Sequence, residues 1–101
     1  MPKFKVLLHG QNYEMRVQEK SFLFRNQSVW KIVGFYTTRF IESNSMNEAA
    51  EEIIKTIRAE LNKTCRANVN STLEISKIQE DEDAYNLYAP GKGFTFYSED
   101  M

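Results

Sequence analysis

Residues Ser45 to Leu61 constrain this 101-residue chain more than any other stretch, because they spell one complete amphipathic helix between flanks of strand-like sequence. Ser45 and Glu48 have the S-x-x-E spacing of a capping box, in which the hydroxyl accepts a hydrogen bond from a first-turn N–H. Met46, Ala49, Ala50, Ile53, Ile54, Ile57 and Leu61 then recur at helical spacing along one stripe, while Glu51, Glu52, Lys55 and Arg58 take the outer face. An apolar stripe of this kind must be buried against another layer. The expectation is a single α+β domain over residues 1–101, with a mostly antiparallel sheet of about four to five strands and one long helix packed on one face.

With 42% hydrophobic residues the chain has material for one core, and a chain of this length buries roughly 60 to 70% of its unfolded surface. Met1-Pro2-Lys3-Phe4-Lys5 enters an alternating pattern directly, without a secretory h-region, and no apolar run approaches the roughly 18 residues that span a bilayer. A cytoplasmic, non-membrane protein is expected. The lone Cys65 has no partner for an internal disulfide and no neighbouring His or Cys at metal-ligand spacing, so neither a metal nor a cofactor is expected. The sequons at Asn26, Asn62 and Asn70 then read as chance matches.

The net charge of −1 is unevenly placed. Residues 1–41 hold seven Lys/Arg against two Glu, and residues 42–101 hold six against twelve Asp/Glu, so the two parts carry +5 and −6. Solvated surface charge is the plain reading, with a nucleic-acid surface on the basic part as its rival.

Phe4, Val6 and Leu8 predict a first strand over Lys3–His9, Gly10-Gln11-Asn12 predicts a turn, and Tyr13, Met15 and Val17 predict a second strand or the return of a hairpin. Phe22-Leu23-Phe24 reads as a locally packed loop or a short edge strand. Lys31–Glu42 is dense in β-branched and aromatic residues and predicts a central strand, with Gly34 marking a bulge or a close approach of another backbone. Residues 62–71 read as a polar linker, Leu73 and Ile75 open a strand running to Gln79, and Glu80–Asp83 reads as a solvated acidic loop. Ala89-Pro90-Gly91 is a turn that releases a closing strand or arm, Lys92 to Tyr97.

Tyr36, Phe40, Leu7 and Ile78 cannot all lie beneath one helix about 25 Å long. An apolar sheet face left uncovered marks a partner site, and homodimerisation through that face or by pairing of strand edges resolves it most simply. Phe40, Phe94, Phe96 and Tyr97 are the candidate interface residues.

The segments Gly10-Gln11-Asn12-Tyr13, Gly34-Phe35-Tyr36-Thr37-Thr38-Arg39-Phe40-Ile41-Glu42, the capped helix and the Gly93-Phe94-Thr95-Phe96-Tyr97 ending together resemble an uncharacterised family of small bacterial proteins. The resemblance covers nearly the whole chain, and G-F-Y-T-T-R-F is its specific part. It implies a ferredoxin-like α+β domain and no activity.

Few constellations point to chemistry. His9 reads as a strand-end histidine, and no base or nucleophile elbow accompanies the hydroxyls. Cys65, between Lys63 and Arg66, reads as an inert thiol with a slight cationic influence toward thiolate. Asp81 and Asp83 lack the glycine and bidentate Glu of a calcium loop. Lys92-Gly93-Phe94-Thr95-Phe96 begins like an RNA-recognition strand, but Thr95 and Glu99 break the pattern and a pI near 5.8 weakens phosphate attraction. Arg39 beside Tyr36, Thr37 and Thr38 could hold a carboxylate or phosphate bidentately, so Tyr36, Thr38 and Arg39 form the candidate ligand site; a sheet acid such as Glu74 is the competing partner for Arg39.

The reading is a non-catalytic interaction module that self-associates, with a protein partner also possible. Its alternative is a small-ligand or nucleic-acid binder using the Tyr36, Thr38, Arg39 surface.

Overall fold

A computed structural model describes residues 1–19 and 27–99. In chain order the elements are β1 (Lys3–Glu19), β2 (Gln27–Glu42), α1 (Met46–Leu61), β3 (Cys65–Arg66), β4 (Thr72–Glu80), α2 (Glu82–Tyr88) and β5 (Thr95–Ser98). β1 and β2 pair antiparallel from Lys3↔Glu42 to Glu19↔Gln27. The other side of β1 is shared by β4, along Phe4 to Gln11, and by β3, at Glu14 and Met15. β5 pairs antiparallel with β2 at Val33 to Tyr36.

This corrects the expected ferredoxin-like plan of one long helix on a sheet. The protein is more sheet-rich, with five antiparallel strands and two helices among the described residues, and a ribbon of one 17-residue and one 16-residue strand dominates it. The reason is geometric. A 17-residue strand at about 3.4 Å per residue reaches roughly 55 Å, whereas a 16-residue helix at 1.5 Å per residue covers about 24 Å. The elongated dimensions, 57 × 29 × 22 Å, follow from that ribbon.

The predicted turn at Gly10-Gln11-Asn12 is a β-bulge inside a continuous strand. Gly10 faces Phe35 and Tyr13 faces Val33, so β1 advances three residues while β2 advances two. Asn12 takes the extra place with φ 60, a left-handed conformation that asparagine tolerates. Both of its backbone groups are matched by side chains: its N–H donates to Glu99 Oε2 at 2.7 Å, and its carbonyl accepts from Ser71 Oγ at 2.5 Å. The expected turn between two strands is thus absent, and tertiary pairing makes the same residues a bulge within one strand.

α1 begins as its capping box requires, with Ser45 Oγ accepting from Glu48 N at 3.2 Å. Its Ala49, Ile53, Ile57 and Leu61 are buried against Phe4, Val6 and Leu8 of β1, Val33 and Phe35 of β2, and Cys65. Phe94 and Phe96 pack on the Phe35 ring at 5.1 and 6.1 Å between centroids. Burying the eight Val, Leu, Ile and Phe side chains of α1, β1 and β2 among these, at about 1.5 to 3 kcal/mol each, makes this layer the main source of stability.

α2 was not expected. Asp81 caps it, with Oδ1 accepting from Ala84 N at 3.0 Å, and Glu82 and Asp83 occupy its first turn, where the helix dipole favours negative charge. The acidic run is therefore a helix start rather than a loop. β3, inside the expected linker, is held by Glu14↔Arg66 and Met15↔Cys65 pairing. Gln27 to Trp30 belong to β2, while the apolar patch Phe22-Leu23-Phe24 lies outside the described residues. No helix among the described residues is long and apolar enough to cross a membrane.

Candidate functional site

Alternation along β2 divides the residues proposed to act together. Phe35, Thr37 and Arg39 are buried on the α1 side, whereas Tyr36 and Thr38 are exposed on the opposite face. Tyr36, Thr38 and Arg39 therefore do not form one surface.

Arg39, with a side chain 4% exposed, clamps three parts of the chain together. Its Nε donates to Thr37 Oγ1 at 2.9 Å, its Nη1 to the Glu60 carboxylate of α1, and its Nη2 to Gly93 O at 3.1 Å. Its guanidinium also lies 5.1 Å from the Phe94 ring centroid. The expected sheet acid is thus a helix acid, and Glu74 stands on the other face beside His9. A guanidinium with its donors committed this way supports the fold.

The candidate interface residues separate likewise. Phe94 and Phe96 face the core, and the two rings of the RNA-recognition-like segment therefore turn away from any base. Phe40 lies on the opposite face but is only 7% exposed, beneath Tyr88 of α2 at 6.3 Å and next to Pro90, whose carbonyl accepts from Phe40 N. Of the four, Tyr97 alone joins the open part of that face. Leu7 and Tyr36 share this face, but Ile78 pairs with Val6 and belongs to the α1 side.

On the open face the structure assembles an aromatic tier that the sequence reading missed. His9 is a mid-strand residue, stacked on Tyr36 with centroids 4.4 Å apart and planes 8° from parallel. A 2.6 Å hydrogen bond joins His9 Nε2 to the Tyr97 hydroxyl, and Glu74 Oε1 stands 3.9 Å from Nδ1. Desolvation, with Glu99 and Tyr36 nearby, pushes the Tyr97 phenol above its ordinary value. Each residue comes from a different strand: β1, β2, β4 and β5. The signal available in sequence was only that His9 has the parity of Lys5 and Leu7. Beside Tyr36 runs an open groove of about 390 Å³, lined by Thr38, Thr95 and the Gly91-Lys92-Gly93 turn.

A second surface lies at β4. This strand pairs with β1 on one side, and among the described residues no strand pairs with the other. Leu73, Ile75 and Ile78 on it are only partly buried. α1 turns its Ile53, Thr56 and Glu60 flank toward Arg39 and Ile41 of β2, which leaves Ala50 and Ile54 on its other flank, in an open hollow of about 350 Å³ that they line with Glu51, Lys55 and Arg58 of the same helix.

Cys65 is buried, and burial pushes its thiol up, only partly opposed by the Thr64 hydroxyl. The neighbouring cations invoked from sequence do not set its chemistry: Arg66 points to the opposite face, stacking 3.8 Å from the Trp30 ring centroid and pairing with Glu14 at 2.8 Å. Among the described residues no group of three His, Cys, Asp or Glu is placed to hold a metal ion. No protein-family model matches the chain, and no curated protein or solved structure matches it.

Proposed function

We propose that this protein is a non-catalytic interaction module that self-associates by antiparallel pairing of β4 with β4 of a second copy. The observation carrying this reading is the self-complementarity of that edge. β4 contains its own bulge: Leu7 faces Lys77 and Leu8 faces Ile75, so Ser76 is extra. Glu74 and Lys77, three apart, therefore lie on the same face, as do Leu73 and Ile78 on the other.

A two-fold axis between Ile75 and Ser76 then sets Glu74 opposite the second copy's Lys77, and Leu73 opposite its Ile78. Both pairs occur twice. Opposite-charge and apolar cross-strand pairs contribute about 0.2 to 1 kcal/mol each, and the larger gain comes from closing two exposed edges. Without the Ser76 bulge the same register would put each charge opposite an apolar face.

Light scattering on untagged protein tests the reading. A dimer is expected, weakened by Glu74→Lys or Lys77→Glu alone, each of which sets like charges opposite one another, and regained in the Glu74→Lys/Lys77→Glu double variant. A monomer at every concentration, or a dimer indifferent to all three variants, overturns it.

A further inference from the structure

We propose that the slot beside Tyr36 binds a planar aromatic ring carrying an anionic group, the chemistry of a mononucleotide. This inference does not depend on self-association, because β4 and the slot lie on opposite sides of β1.

The argument starts from neighbouring strands. On the open face His9 of β1 and Tyr36 of β2 stand side by side as parallel rings 4.4 Å apart. The next strand across is β5, and the residue opposite Tyr36 is Thr95. Three strands thus present ring, ring and short hydroxyl in a row. The His9 side of Tyr36 is covered, while its β5 side borders the groove, and Tyr36 is 53% exposed. A third flat ring entering above Thr95 continues the stack at the spacing already present, and offset ring stacking is a favourable contact.

The tier is held in place before any ligand arrives. His9 is tied at one ring nitrogen to Tyr97 and flanked at the other by Glu74. Tyr97 lies 5.4 Å from Tyr36 and limits the slot along the strand. Ordering these rings costs a ligand little, which is how preorganisation raises affinity.

The rim supplies the charge preference. Lys92 lines the groove, is exposed, and has no ion-pair partner among the described residues. Thr38 and Thr95 add hydroxyl donors on the same wall. Of the carboxylates near the tier, Glu74 is on the far side of His9, across β1, and Glu99, which interacts with Tyr97, accepts the Asn12 N–H at 2.7 Å; neither lines the groove. A ring with a phosphate or carboxylate at its edge therefore meets an aromatic wall and a cation together, whereas a ring bearing a cation gains only the wall.

Titration calorimetry with AMP and CMP as probes, and adenosine and inorganic phosphate as partial probes, tests this. Saturable binding of at least one nucleotide is expected, with adenosine and phosphate each weaker. Tyr36→Ala should weaken binding about tenfold, in keeping with the loss of one stacking partner, and Lys92→Glu should weaken the nucleotide but leave adenosine unchanged. Tyr36→Phe, which keeps the ring, should bind as the parent does, and thermal melts of all variants separate lost binding from lost fold. No saturable binding of either nucleotide, or binding that survives both Tyr36→Ala and Lys92→Glu, overturns the proposal, as does phosphate alone binding as well as AMP.

Discussion

The ring of Tyr97 lies directly across Gly34, where an added Cβ would come within 2.2 Å of Tyr97 Cζ and 2.3 Å of its hydroxyl oxygen. A glycine in the middle of a central strand is thus the seat of an aromatic ring from the neighbouring strand, and that ring in turn holds His9. Two links of the open face depend on the lack of one methyl group.

Gly34→Ala should therefore push Tyr97 outward and break its bond to His9, with a cost of about 1 to 3 kcal/mol for forced overpacking. Urea unfolding gives the stability change, and the Nε2 environment of His9 by NMR gives the local one. An unchanged midpoint with an unchanged His9 signal would contradict the packing.

Arg39 is predicted to matter for folding and not for ligand capture. Arg39→Met retains the aliphatic packing but removes the donor to Glu60 and one of two donors to Gly93 O, which keeps its 2.7 Å bond from the Thr37 hydroxyl; the loss is about 1.5 to 3 kcal/mol, as for hydrogen bonds to charged groups. Nucleotide binding at the Tyr36 slot should persist wherever the variant remains folded. Loss of that binding with stability intact would instead return Arg39 to the ligand site.

How much of this was legible depended on whether a pattern was local. The α1 helix could be read because its cap, stripe and outer face are all contained in 17 residues of sequence, Ser45 to Leu61. The parity of Leu7, Tyr36 and Phe40 was legible for the same reason, since strand alternation is local. The bulge at Asn12 was not, because a turn and a bulge call for the same residues and only the partner strand distinguishes them. α2 escaped notice because seven residues without a buried stripe leave only a cap and charges as signals. The site at His9, Tyr36, Glu74 and Tyr97 required knowing the strand order, which no single segment encodes. Arg39 and Tyr36 were grouped by closeness in sequence, although residues three apart on a regular strand point to opposite faces.

Cys65 should behave as a buried thiol. Burial favours the neutral form, so reaction with a soluble disulfide reagent at mildly alkaline pH should be slow in the native protein and become fast on unfolding in urea. Equal rates in the two states would place the sulfur at the surface and remove β3 from its position against Met15.

Glu14 provides the acid-side prediction. Hydrogen bonds from Asn68 and then Arg66 hold its carboxyl below the ordinary carboxylate value in the folded protein. The folded form thus releases this proton more readily than the unfolded form, and the corresponding stability is present above the unfolded pKa and lost as pH falls through the folded one. Because Glu14 is in contact with solvent, the effect is modest and screened by salt. Glu14→Gln should lower the melting temperature near neutral pH and converge with the parent in acid, below the usual carboxylate range. Trp30 is the single tryptophan and Arg66 stacks on it, so its fluorescence should shift over the same acidic interval in the parent and stay flat in Glu14→Gln. A parallel shift in both proteins would show that a group other than Glu14 carries the acid transition at Trp30, and would overturn the prediction.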